Sequence, residues 1–137
     1  MPERPLIGLV EDNDLDFHAY RRTFGPVSEL RRWESGEALI ASLLSEDGLL
    51  EQLDLLILDL NLPGIDGVHL AHTVRIAPGG ADLPIVVLTG SQAEPDILRA
   101  LEADVTEYEV KPNTAAELRA LVQRTLAVIA PRESRPA

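Results

Sequence analysis

Two apolar runs in this chain end in carboxylates. Leu55-Leu56-Ile57-Leu58 stops at Asp59, and Asn61-Leu62-Pro63-Gly64 follows at once. Leu6-Ile7-Gly8-Leu9-Val10 stops at Glu11-Asp12. Short apolar runs closed by turn residues read as buried strands. Two more strand-like segments end in Thr89 and Lys111. In an open α/β sheet the strand ends share one rim, and ligands bind in the crevice beyond it. Three acids, a hydroxyl and a lysine would then meet in one cleft. Unshielded, close carboxylates repel and push each other's pKa upward. A divalent cation relieves that, and an all-oxygen set beside a phosphate site suits Mg²⁺. Lys111 would supply a point charge for a phosphoryl oxygen, and Thr89 a hydroxyl donor. Gly90 would let a ligand approach the backbone. The chemistry is phosphoryl transfer onto a carboxylate, which consists mostly of positioning and charge neutralisation.

The elements that must hold these groups alternate along the chain. Strands are expected over 6–11, 30–33, 53–59, 84–89 and 106–110, the second being short, charged and at an edge. Helices are expected over 14–24, 36–44, 66–76, 94–102 and 114–129. Phe17, Tyr20 and Phe24 share one face of the first helix, and Leu118, Leu121, Val122, Leu126 and Ile129 one stripe of the last. Asn13 or Asp14 can cap the first helix, and Gly25-Pro26 ends it. Five strands alternating with five helices call for a parallel sheet covered on both faces. Right-handed crossovers then make a doubly wound α/β sandwich of three layers.

Composition bounds the function. The 137 residues make one domain, expected over 1–130, with a polar tail over 131–137. Apolar residues are 45% of the chain, enough for a core at this length. A net charge of −11 argues against direct DNA binding through a broad basic face. With no cysteine, disulfides and thiolate metal sites are excluded. No apolar run nears the ~20 residues needed to span a membrane, and no secretory segment is visible. The expectation is a soluble, cytoplasmic protein.

Four motifs stand in order and spacing. They are Leu9-Val10-Glu11-Asp12-Asn13, Leu58-Asp59-Leu60-Asn61-Leu62-Pro63-Gly64-Ile65-Asp66-Gly67, Val87-Leu88-Thr89-Gly90-Ser91 and Tyr108-Glu109-Val110-Lys111-Pro112. Together they resemble the receiver domain of two-component response regulators, over residues 6–129. The resemblance implies a flavodoxin-like five-stranded sheet of order 2-1-3-4-5. It implies that Asp59 accepts a phosphoryl group from a sensor histidine kinase, or from a histidine phosphotransfer protein. Glu11, Asp12 and Asp59 would bind Mg²⁺ with the main-chain carbonyl of Asn61. Thr89 and Lys111 would contact the phosphoryl group, and Tyr108 would turn inward as Thr89 shifts. The Lys111–Pro112 bond is commonly cis in the family. Within the family, residues 9–13, 58–63 and 88–99 look most like the stand-alone regulators of bacterial phytochromes. A light-sensing kinase would then be the donor. With no output domain expected, either the protein is a phosphate sink or the signal would leave through a face built from the helix over 94–102, the last strand and the last helix. That face would meet a downstream protein target, and the same reading leaves room for a homodimer.

Some positions depart from the family pattern. Trp33 replaces a small residue, Asp104-Val105 replaces Gly-Ala, and Glu109 stands at an apolar strand position, where it is expected to point to solvent. His69 and His72 lie three apart without a third ligand and read as surface residues, as does His18. Arg21-Arg22 read as a solvated helix face near the rim where family kinases dock. A phosphohydrolase with an aspartyl nucleophile would want an acid where Asn61 stands. A phosphorylation-silent binding module would not need the full set of Glu11, Asp12, Asp59, Thr89 and Lys111.

Overall fold

The computed structural model describes residues 4–60, 62–90, 98–99, 102 and 104–129. Five parallel strands are β1 (Leu6–Val10), β2 (Glu29–Trp33), β3 (Leu55–Asp59), β4 (Ile85–Thr89) and β5 (Glu107–Val110). They lie in the order β2-β1-β3-β4-β5. Between them run helices α1 (Asp14–Phe24), α2 (Gly36–Ser45), α3 (Leu49–Gln52) and α4 (Gly67–Ile76), with α5 (Ala115–Val128) after the last strand. Leu98, Arg99 and Glu102 are helical, and the rest of the helix expected over 94–102 lies outside the described residues.

The strands are apolar because both faces of the sheet are covered. All five residues of β3 and of β4 are buried. Strand side chains alternate between faces, and the core divides accordingly. Val10, Leu56, Leu58, Ile85 and Val87 pack with Leu39, Leu49, Leu70 and Val74. Ile7, Leu9, Leu55, Ile57, Val86 and Leu88 pack with Tyr20, Phe24, Leu118, Leu121 and Val122. So α2, α3 and α4 cover one face, and α1 and α5 cover the other, as a doubly wound sheet requires.

Short α3 was not expected from the sequence. Gly48 turns the chain with φ +73, and Leu49 and Leu50 plug the core below β3. Four residues are too few to show a helical period. Leu53 and Asp54 therefore precede the strand instead of opening it. The Asp54 carboxylate accepts the Leu6 N–H at 2.7 Å, and the Asp54 N–H donates to Leu6 O at 2.8 Å, pinning the start of β1 to that of β3. Asp104 takes the left-handed conformation at φ 57, the position where Gly is usual. No cis peptide bond occurs among the described residues, so Lys111–Pro112 is trans. The tertiary amide makes the two isomers nearly equal in energy, and local context decides.

Trp33 finds its space by a matching loss on β1. A side chain at Gly8 would meet Trp33 Cζ3 at 3.0 Å and Leu56 Cδ1 at 3.0 Å. The indole N–H donates to Ser42 Oγ at 2.9 Å, so the large residue is buried and satisfied.

Candidate functional site

The sheet register assembles the acids. β1 pairs with β3 so that Val10 faces Leu58, and one step further Glu11 comes alongside Asp59. β3 pairs with β4 so that Asp59 faces Leu88, and Thr89 follows at the end of that strand. The Lys111 N–H donates to Thr89 O at 2.7 Å, which carries Lys111 to the same rim. The order reverses about β1 and β3, since β2 lies to one side of β1 and β3, β4 and β5 to the other. That switch point is where doubly wound sheets open a crevice.

Glu11 is 0% exposed, Asp59 4% and Thr89 2%, while Asp12 is exposed. One carboxylate oxygen from each of Glu11, Asp12 and Asp59 lies within 4.8 Å of the others. Lys111 Nζ pairs with Asp59 Oδ2 at 2.5 Å and stands 3.9 Å from Glu11 Oε1. Burial pulls the Lys111 pKa down, but the hydrogen bond to Asp59 and the charges of Asp59, Glu11 and Asp16 outweigh it. The net direction is up, so this lysine stays charged.

The Glu11 carboxyl is pushed up to about 6. Burial is the largest cause. The Asn13 N–H and the Lys111 charge oppose it, and the charges of Asp59 and Asp16 add to it. Desolvation thus outweighs the mutual repulsion that the sequence suggests. Asn13 N–H donates to Glu11 Oε2 at 3.1 Å. Glu11 Oε1 is buried and has no hydrogen-bond partner among the described residues, a costly condition for a carboxylate oxygen. An oxygen-lined site with one buried oxygen unpaired fits a hard divalent cation. Asn61, whose carbonyl the family resemblance adds to the ligands, lies outside the described residues.

The loop that bears these acids is tied down on both sides. Asn13 caps α1, its Oδ1 accepting the Asp16 N–H at 2.9 Å. The Glu11 N–H donates to Trp33 O at 3.0 Å, and Arg32 Nε donates to Glu11 O at 2.9 Å. Arg32 was missed by sequence reasoning. Its only signal is parity with Leu30, which places it on the α1 side of an edge strand.

Tyr108 is half-buried and packs against the cluster covered by α2, α3 and α4. Glu109 is not simply solvent-pointing as expected. Its side chain is 18% exposed, and Arg124 on α5 grips both its oxygens at 2.9 and 3.0 Å. His18, His69, His72, Arg21 and Arg22 are exposed, as expected. A groove of about 690 Å³ runs between α1 and α5, lined by Tyr20, Arg22, Thr23, Pro112, Leu118 and Arg119 among others. It lies beside the acids, not on them.

No helix among the described residues is long and apolar enough to cross a membrane. Similarity to known proteins agrees with the geometry. The phosphorylated cyanobacterial phytochrome response regulator RcpA is 27% identical, with 95% of this chain and 99% of that one covered at a TM-score of 0.80. The Mn²⁺-bound response regulator Rcp1 is 30% identical, with 88% and 90% covered at a TM-score of 0.73. RcpA matches the phytochrome-regulator resemblance of the motifs. The cyclic di-GMP phosphodiesterase response regulator RpfG of Xanthomonas campestris is 40% identical over 92 residues, 67% of this chain and 24% of that protein. The chain spans 24%, 32% and 51% of three curated relatives, so it matches only part of those proteins. Residues 7–123 match the response regulator receiver domain. The chain belongs to that family of two-component signalling proteins.

Proposed function

We propose that Asp59 accepts a phosphoryl group from a phosphohistidine donor in a Mg²⁺-dependent reaction. One observation carries this reading: Lys111 pairs with Asp59 at 2.5 Å, inside a set of acids whose oxygens lie within 4.8 Å. Glu11, Asp12 and Asp59 would hold the ion, with the Asn61 carbonyl completing the set. When bound, Mg²⁺ supplies charge neutralisation for the transferring phosphoryl group and an anchor for its oxygens. That Rcp1 was crystallised with Mn²⁺ supports a divalent site.

The chain's own groups do the rest. An Asp59 oxygen attacks phosphorus as the bond to the donor's imidazole nitrogen breaks, and that nitrogen leaves with its electron pair. Lys111 holds the Asp59 carboxylate in place and then balances charge on a phosphoryl oxygen. Thr89, buried at the end of β4, donates its hydroxyl to another. Water later hydrolyses the acyl phosphate. The donor is a sensor histidine kinase, possessing a phytochrome photosensor in the reading that RcpA favours, or a histidine phosphotransfer protein. It docks beside α1, which presents exposed Leu15, Arg21 and Arg22, the last of them lining the groove. The signal leaves as a population shift. Thr89 moves toward the phosphoryl group, and Tyr108 turns into the space behind it. A protein target, or a second copy, reads β5 and α5 with the helix over 94–102. A cytoplasmic location and the absence of direct DNA contact by this domain belong to the same reading.

The test is direct. Incubation with acetyl phosphate and Mg²⁺ should add one phosphoryl mass to the intact protein. Asp59→Asn should abolish the addition, and so should EDTA. Label that persists in Asp59→Asn would move the acceptor elsewhere.

A further inference from the structure

The geometry points to Arg32 as a positioning residue that fixes the metal-binding loop from the neighbouring strand. The inference rests on the Mg²⁺ reading above. Glu11 lies one residue past the last β1–β2 pair, Val10 with Trp33. Its N–H is taken by Trp33 O at 3.0 Å and its carbonyl by Arg32 Nε at 2.9 Å. Both main-chain polar groups of Glu11 are therefore held by β2. The same guanidinium reaches over the loop, with Nη1 at 2.8 Å from Asp14 Oδ1. One side chain thus grips Glu11 and Asp14 and brackets Asp12 and Asn13 between them. The acids that meet Asp59 are set by this grip.

The side chain is no ordinary surface arginine. It is 14% exposed, and its guanidinium carbon lies 4.5 Å from the centroid of the Phe17 ring on α1. Its Nη2 is buried with no hydrogen-bond partner among the described residues. An arginine free to swing out would keep that nitrogen in water. Stacking on Phe17 and the two bonds to the loop hold it in against that cost. A lysine at this position keeps the charge and most of the stem. It has one compact donor group and no planar face, so it cannot make both contacts and stack.

Sign separates this role from a purely electrostatic one. A cation beside a Mg²⁺ site repels the ion, so removing the Arg32 charge alone would tighten Mg²⁺ binding. Removing a positioning contact weakens it, by about tenfold where an outer partner of a ligand is lost. Mg²⁺ affinity should be measured by isothermal titration calorimetry on the wild type, Arg32→Met and Arg32→Lys, with folding checked by circular dichroism. Both variants are expected to bind Mg²⁺ more weakly, Arg32→Met by about tenfold and Arg32→Lys by less. Acetyl-phosphate labelling of Arg32→Lys should recover when Mg²⁺ is raised to saturation. Unchanged or tighter Mg²⁺ binding in Arg32→Lys overturns the proposal, even if its melting temperature falls. The Lys variant decides the matter if Arg32→Met does not fold. A wild type that takes up no Mg²⁺ would instead overturn the metal reading on which the proposal rests.

Discussion

At Glu11 burial and function pull in opposite directions. A carboxylate with no exposure belongs in a core only when something repays its desolvation. Among the described residues only Lys111 and the Asn13 N–H do so in the metal-free protein, and the carboxyl stays raised to about 6 against an ordinary 4.5. The folded state therefore holds this proton more tightly than the unfolded chain. Above pH 6 the charged form costs stability in full, and the cost fades as the pH falls toward 4.5. Metal-free Glu11→Gln should be more stable than the wild type at pH 7.5, by on the order of 1 kcal/mol. The difference should shrink by pH 5. Urea unfolding in EDTA at both values checks this, and a gap that widens on acidification would refute it. Mg²⁺ should raise the melting temperature of the wild type by mass action. Asp12→Ala should remove most of that response, and a full response in the variant would take Asp12 out of the ligand set. These acids were legible in the sequence because each ends a strand that composition alone marks as buried. Arg32 was not, because its role depends on which residue of β2 faces which residue of β1.

Elements differ in how much of themselves the sequence reveals. β3 and β4 announce themselves by unbroken apolar runs, since both their faces are buried. The edge strand β2, with its sequence Glu29-Leu30-Arg31-Arg32-Trp33, hides its packing. Its largest apolar side chain, Trp33, fits because β1 carries a glycine, Gly8, beneath the indole. No rule of periodicity links Gly8 to Trp33: the register pairs Trp33 with Val10, and the indole reaches Gly8 diagonally across the two strands. Gly8→Ala should then destabilise the protein by about 1–3 kcal/mol through overpacking. Gly8→Ala with Trp33→Leu should cost less than the two single changes added together, because the second opens the space that the first fills. Chemical denaturation of the four proteins gives the coupling, and strict additivity would show that the two side chains do not compete. At the other edge, Glu109 looked like a solvent-facing anomaly in β5. It is anchored by Arg124 of α5, an exposed partner fifteen residues later that strand alternation cannot foretell.

Across the whole molecule, the proposed output face connects to the site through β4 and β5. Thr89 ends β4 and accepts the Lys111 N–H on its carbonyl at 2.7 Å. Lys111 in turn pairs with Asp59. On the proposed reading, a phosphoryl group on Asp59 would compete for Lys111 and draw on Thr89, and so would disturb both ends of this link together. Tyr108 lies between them in sequence position on β5, half-buried on the face opposite Glu109. An inward turn of this ring, as proposed, should therefore repack the side covered by α4 while the Glu109–Arg124 pair stays closed. Beryllofluoride with Mg²⁺, a stable phosphoryl mimic, should alter amide exchange at 89–90 and 106–111 and leave β2 largely unmoved. Trp33 stands at the opposite edge of the sheet from β5, so its fluorescence should not follow the switch. Arg124→Ala should leave the beryllofluoride response of β5 in place, since the pair faces away from the moving ring. Exchange changes confined to Glu11, Asp12 and Asp59 would mean that the site takes the phosphoryl group without passing a signal along β5.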